Sequence, residues 1–193
     1  PKISSVIDAL DQVSDGFGVG EDAIAKIKVR SPQTAITGHQ MSRPDSVMAA
    51  QYSMPFIVGA TMAYGPQRFG AYGDEHHHDA KILAFVDRTE VVHETSFEPM
   101  VPAKFPHAVD IEFTDGTVSS ATVLDSLGTP ERPLSHDGVI DKAKALVEMT
   151  DAGIDLQNII ATVEQLPQLD DVSSLAQLLT VPSYSSAPPS PQH

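Results

Sequence analysis

The sequence predicts an α+β fold: a small antiparallel sheet packed against a central helix, residues 45–64, and C-terminal helices. Three observations carry this. Helical and alternating apolar periods interleave along the chain before Ser135. Two alternating runs meet at Asp115-Gly116, which supplies the positive φ of a tight turn, so a hairpin spans about residues 107–124. Beyond Ser135 only the helical period remains. Strands joined by a hairpin and interspersed with helices point to an antiparallel α+β domain rather than a doubly wound parallel one.

The elements follow in order. Ile3, Val6, Ile7, Leu10 and Val13 recur at helical spacing, so residues 2–13 form an amphipathic helix. Gly16, Gly18 and Gly20 end it. The stretch "GFGVGE" at 16–21 follows a helix rather than a strand and has Glu21 where the third glycine of G-x-G-x-x-G would fall, so it reads as a helix C-cap and turn, not a nucleotide loop. Ile24, Ile27 and Val29, with Lys26, Lys28 and Arg30 alternating against the last two, predict a half-buried strand. "SPQTAITGHQMSRPDS" is irregular, with a short strand around Ala35–Thr37.

Pro44 and Asp45 start the central helix, which is apolar on nearly every side and runs to about Tyr64. Pro55 lies inside it, removes one backbone hydrogen bond and crowds the carbonyl of Gln51, predicting a kink near 51–55. Ser53 is placed to satisfy freed backbone groups there. A loop and a short helix at roughly 78–86 follow, then a strand at 90–96. In the hairpin Val109, Ile111 and Phe113 alternate with Asp110, Glu112 and Thr114.

In the last third, Val139, Ile140, Ala143, Leu146 and Val147 form one helical face after the cap candidate Ser135. Leu156, Ile159, Ile160 and Val163 form a second, ending before Pro167. Asp171 is a cap candidate for a short helix with Val172, Leu175, Leu178 and Leu179. Residues 182–193, "PSYSSAPPSPQH", have the composition of a disordered tail.

Composition narrows the function. The chain has 193 residues, 41% hydrophobic and 20% charged, which is globular and long enough for one domain with a core. It has no cysteine, which excludes disulfides and thiolate metal sites. A net charge of −14 opposes binding to nucleic acid or anionic lipid. A site for a carboxylate ligand must therefore concentrate the few cations locally. Gln51, Ser53, Pro55 and Gly59 interrupt the most apolar stretch, 47–64, before it reaches the ~18 residues of a membrane span. With no secretion signal ahead of the first helix, the expected location is cytoplasmic.

Two stretches carry candidate chemistry. His76, His77 and His78 lie between Glu75 and Asp79, but neighbours on a helix point ~100° apart and cannot converge on one metal. A solvated helix start explains them, and a metal site requires a loop that folds them together. His39, His93, His107 and His136 are scattered. "TGHQMSRPDS" at 37–46 sets His39, Gln40, Ser42 and Arg43 beside the start of the central helix. A helix N-terminus favours anions, and the arginine fork matches a carboxylate; an ordinary polar loop is the plainer reading. There is no G-x-S-x-G, P-loop or H-E-x-x-H motif.

Several segments resemble one family in order. "VMAAQYSMPFIVGATMAYG" is similar to "eAqfSlpyxvAxaLxxG" of the MmgE/PrpD family, and "DAKILAFVDRTEVVHE" to the stretch that follows it. "KFPHAVDIEFTDGT" resembles the family's "xxPaxVxvxlxDGt" hairpin. "GTPERPLSHDGVIDKAKALV" and "VEQLPQLDDVSSLAQLL" resemble its "GxPxxPlsxeelxxKFxxLa" and "vxxLexlxdVxxLxxLL". The resemblance covers roughly residues 1–181.

That family includes 2-methylcitrate dehydratases, cis-aconitate decarboxylases and iminodisuccinate epimerases. The resemblance implies that residues 1–181 are the C-terminal lid domain, that an N-terminal helical domain is absent, and that the chain is a fragment or an isolated lid. It implies a parent lyase or isomerase acting on small di- or tricarboxylates by proton abstraction α to a carboxylate. Dehydration, decarboxylation or epimerisation would follow, with no cofactor and in a homodimer. The family's catalytic acid, threonine, histidine and lysine lie mostly in the helical domain, so no catalytic residue is expected here. The loop before the central helix falls at the interdomain cleft, which makes His39, Gln40, Arg43 and Gln51 the candidates for substrate contact. The alternative is a free-standing, non-catalytic α+β binding or assembly module.

Overall fold

β1 (Ile24–Ser31) is the strand on which the sheet is built. In the computed structural model, which describes residues 4–13, 20–66, 69–149 and 153–180, it lies between β2 (Thr89–His93) and β3 (His107–Phe113). β4 (Val118–Val123) closes the order β2-β1-β3-β4. The α+β class holds, and so does the hairpin: β3 and β4 pair antiparallel, with Val109 opposite Ala121. The sheet is mixed rather than wholly antiparallel, because β2 runs parallel to β1 with Val29 opposite Val91. A parallel neighbour needs a long crossover, and residues 32–88 supply it with four helices: α2 (Gln33–Ile36), α3 (Val47–Tyr52), α4 (Met54–Tyr64) and α5 (Ala80–Val86).

β1 buries Ile24, Ile27 and Val29 on the core face. The three-residue step from Ile24 to Ile27 breaks the two-residue period of a strand. A register shift against β3 between Ile24 and Lys26 restores it. α1 (Ser4–Val13) lays Val6, Ala9, Leu10 and Val13 on β3 and β4. α4 is buried from Met54 to Ala63, which is why its sequence is apolar all round. It packs on α5 at Gly59, where a Cβ would come within 2.6 Å of the Ile82 carbonyl oxygen.

Three local expectations are corrected. Residues 35–37 are not a strand: α2 occupies that place, led by Pro32. The second strand stops at His93, because the Glu94 carboxylate takes the Ser96 N–H and starts a run of 3-10 turns from Thr95 to Met100. The central helix is two helices, α3 and α4, separated at Ser53. Pro55 therefore sits in the first turn of α4, where it is tolerated, rather than in the middle of a kinked rod.

The chain divides into two compact units, residues 1–134 and 135–193. The second contains α6 (His136–Glu148), α7 (Leu156–Glu164) and α8 (Ser173–Leu178). Ser135 caps α6 as expected, through the Gly138 N–H at 3.0 Å. The Asp171 carboxylate accepts from the Ser173 N–H at the start of α8. The turn expected at 16–19 and the tail at 182–193 lie outside the described residues. Among the described residues, no helix is long and apolar enough to cross a membrane.

Candidate functional site

The chain leaves the carboxyl end of β1 through Ser31 and Pro32, turns through α2, and runs along residues 37–46 before re-entering the core as α4. Gly38 makes this turn with φ of 80°, a conformation that carries no strain without a Cβ. His39 is tied at both ends of its backbone: its N–H donates to the Ile36 carbonyl at 2.9 Å, and its carbonyl accepts from the Met54 N–H at 2.8 Å. Ser53 joins loop and helix. Its hydroxyl donates to the Met41 carbonyl and accepts from the Phe56 N–H at 3.0 Å.

These bonds use the donors at the start of α4 only; the anion site expected from the sequence falls at the start of α3, where Ser46 Oγ accepts the Ala49 N–H at 3.3 Å. Around the α4 N-terminus the N–H of Ser53 goes to Ala50, that of Met54 to His39, and that of Phe56 to the Ser53 hydroxyl. The Ile57 N–H goes to the Ser53 carbonyl, and Pro55 has no N–H. No free donor remains there for a carboxylate.

What the loop builds instead is an open groove of about 430 Å³, walled by Met41, Met48, Ala49 and Tyr52, with Gly38 and Ser53. The walls are apolar and open to solvent: Met48 is 71% exposed and Tyr52 58%. His39 stacks on the Tyr52 ring, with centroids 5.8 Å apart and planes at 12°. Its Nδ1 lies 2.7 Å from the Tyr52 backbone oxygen. A carbonyl only accepts, so Nδ1 carries a proton and the neutral ring presents its lone pair at Nε2.

The four predicted contacts fall unequally. His39 and Gln51 flank Tyr52, one across the loop and one along α3. Gln40 is exposed on the loop. Arg43 is drawn away: its Nη2 donates to Asp87 Oδ1 at 2.6 Å, just past the end of α5, and its Nη1 donates to the Ser42 carbonyl at 3.0 Å. Among the residues that line the groove there is no lysine or arginine. Sequence reasoning missed Tyr52, Met41 and Met48. The signal was available: Met48, Gln51 and Tyr52 share one face of a helix that Ser53 and Pro55 divide from the wholly apolar half.

The three consecutive histidines diverge. His76 Nδ1 donates to Asp79 Oδ2 at 3.2 Å, and His77 is buried with Nε2 3.3 Å from the Tyr72 carbonyl oxygen. His78 is exposed. Asp79 serves as an anchor, taking the N–H groups of Lys81 and Ile82 at the start of α5 and the hydroxyl of Tyr64 from the end of α4. Burial raises its carboxyl pKa, but those hydrogen bonds prevail and hold it below the usual carboxylate range. No group of three or more His, Asp or Glu that could hold a metal ion occurs among the described residues.

The model of the MmgE/PrpD C-terminal domain matches residues 2–167. Among curated proteins, the cis-aconitate decarboxylase of Mus musculus is similar, with 22% identity over 162 residues. The match takes in 84% of this chain but 33% of that protein, so the chain spans about one third of the length of the relative.

Proposed function

The chain belongs to the MmgE/PrpD family, and on that premise we propose that it is the lid portion of a lyase or isomerase acting on small di- or tricarboxylates. The observation that carries the proposal is the groove at residues 38–53: its lining is mostly apolar and without lysine or arginine, and His39, with its proton on Nδ1, stacks on one wall, Tyr52. Such a surface can seat the hydrocarbon side of a small acid. Its charge must be met from another surface, as in an enzyme whose site closes between two bodies.

In this reading His39 accepts a hydrogen bond from a substrate hydroxyl, or takes up a proton, at Nε2. The Gln40 and Gln51 amides donate to a carboxylate oxygen. Arg43 reaches a carboxylate only by giving up Asp87. The proton α to a carboxylate is removed by a base on the opposing body. Cations there carry the enolate-like charge, and departure of hydroxide, of carbon dioxide, or return of the proton to the other face completes dehydration, decarboxylation or epimerisation. The similarity to a cis-aconitate decarboxylase supports a lyase.

His39→Gln in the protein of natural length tests the assignment. Loss of a positioned acid–base group lowers kcat/KM by about 10²-fold or more, with an unchanged melting temperature. A variant as active as the parent removes His39 from the site.

A further inference from the structure

We propose that Asp115, at the tip of the β3–β4 hairpin, is a site of spontaneous isomerisation to isoaspartate, and that Thr117 restrains the reaction by holding the Asp115 carboxylate. The inference stands on the hairpin turn and does not depend on the reading of the groove.

An aspartate followed by glycine is the pair most open to this chemistry, because glycine puts no side chain in the way of ring closure. The pair occurs three times, at 15–16, 115–116 and 137–138, and the first lies outside the described residues. Asp137 and Gly138 stand in the first turn of α6, where the Gly138 N–H donates to Ser135 Oγ at 3.0 Å. A five-membered ring there would break the helical dihedrals. Asp115 and Gly116 instead form an exposed loop with Thr114, and Gly116 has φ of 83°. The loop is tied down by its backbone. The Gly116 N–H donates to the Phe113 carbonyl at 3.0 Å, and the Thr114 N–H to the Ala23 carbonyl at 2.9 Å. The side chain is tied as well: Asp115 Oδ1 accepts the Thr117 N–H at 2.9 Å and the Thr117 hydroxyl at 2.6 Å.

The reaction needs what these bonds withhold. The Gly116 nitrogen attacks Cγ of the protonated Asp115 carboxyl. A C–N bond forms, the nitrogen's proton passes to solvent, and the hydroxyl leaves as water, closing a succinimide. Water then opens the ring. Addition at Cγ restores aspartate. Addition at the backbone carbonyl carbon of Asp115 leaves the chain running through Cγ, so the main chain gains one methylene and the mass is unchanged. In the turn the Thr117 bonds tie the carboxylate to the residue beyond Gly116. They also hold its pKa below the usual carboxylate range, the hydroxyl more than the N–H. An ionised carboxylate has no hydroxyl to expel. Of these restraints, the Thr117 hydroxyl is the one that a substitution removes while leaving the backbone bonds in place.

The test ages the whole 193-residue chain at neutral pH, folded and in urea. Isoaspartate is counted by enzymatic methylation of the new α-carboxyl, and its position is read from peptide fragments. In urea the parent and Thr117→Val convert at Asp115 equally fast. Folded, the parent converts slowly and Thr117→Val about fivefold faster, the size of effect expected of one hydrogen bond. Valine keeps the β-branched shape that suits the start of a strand. Thr117→Ser, which keeps a hydroxyl, returns to the parent rate, and conversion at Asp137 is the same in all three. A folded Thr117→Val no faster than the parent overturns the proposal. So does a difference that persists in urea, which would belong to the neighbouring residue and not to the turn. Thr117→Ser as fast as Thr117→Val, a folded parent as fast as the unfolded one, or no conversion at Asp115 in urea also overturns it.

Discussion

His107 is fully buried at the start of β3, and its hydrogen bonds assign its protons. The Ser5 hydroxyl donates to the Phe105 carbonyl at 2.7 Å, so it accepts from His107 Nδ1 at 2.6 Å. Nε2 is left in the core without a hydrogen-bond partner among the described residues. Burial pushes the pKa down from 6.5 to about 4, because a proton on Nε2 would bury a charge that nothing meets. The unfolded chain binds that proton more readily, so the stabilisation is full above pH 6.5 and is lost as pH falls to about 4. The loss amounts to about 3 kcal/mol at ~1.4 kcal/mol per pKa unit. His107→Asn, which keeps a donor near Nδ1 and does not titrate, flattens this part of the curve in chemical denaturation. Parallel curves for parent and variant would contradict the assignment. None of this was legible in the sequence, where His107 is one scattered histidine among several: burial and the pairing with Ser5 arise from contacts about a hundred residues apart. His39 was legible only by position. Its tautomer depends on a backbone carbonyl thirteen residues on, and a sequence does not display that.

At the scale of elements, the junction of α3 and α4 is the part most open to test. Ser53 ends one helix and caps the next while its hydroxyl holds Met41. Ser53→Ala removes both bonds and costs about 1–2 kcal/mol, read as a lowered urea midpoint, with faster exchange at the Phe56 amide. Gly59→Ala adds a methyl 2.6 Å from the Ile82 carbonyl and 2.9 Å from Val86 Cγ2, so α4 and α5 must separate. The expected cost is about 1–3 kcal/mol, and a melting temperature equal to the parent's would show that the two helices yield freely. The sequence carried most of the elements here, because period and turn residues act locally. It misjudged the ones decided by capping. Pro55 looked like a kink within one helix, and only the Ser53 bonds show that it opens a second. The parallel placement of β2 was likewise hidden, since which side of β1 a strand joins depends on the crossover rather than on the strand's own residues.

For the whole molecule, the pattern of charge and cover is the feature to explain. Outside the groove, several cations of the first unit meet acids: Lys26 pairs with Glu90, Arg30 with Asp110 and Glu94, Lys104 with Asp125, and Arg132 with Asp8. The groove itself has none in its lining, and the helices of the second unit have no buried residue. Composition foretold the scarcity of cations but not its location, since pairing is a property of the assembled sheet. A groove without cations fits a site completed by a basic surface beyond it, and one measurement tests that account most directly. Proton NMR in D2O, on a panel of small di- and tricarboxylates, reports exchange, dehydration, decarboxylation and epimerisation together. The 193-residue chain alone is predicted to leave every acid unchanged, while the protein of natural length purified from its source converts at least one. Turnover by the 193-residue chain on its own, or none by the natural protein on any acid of the panel, would contradict it.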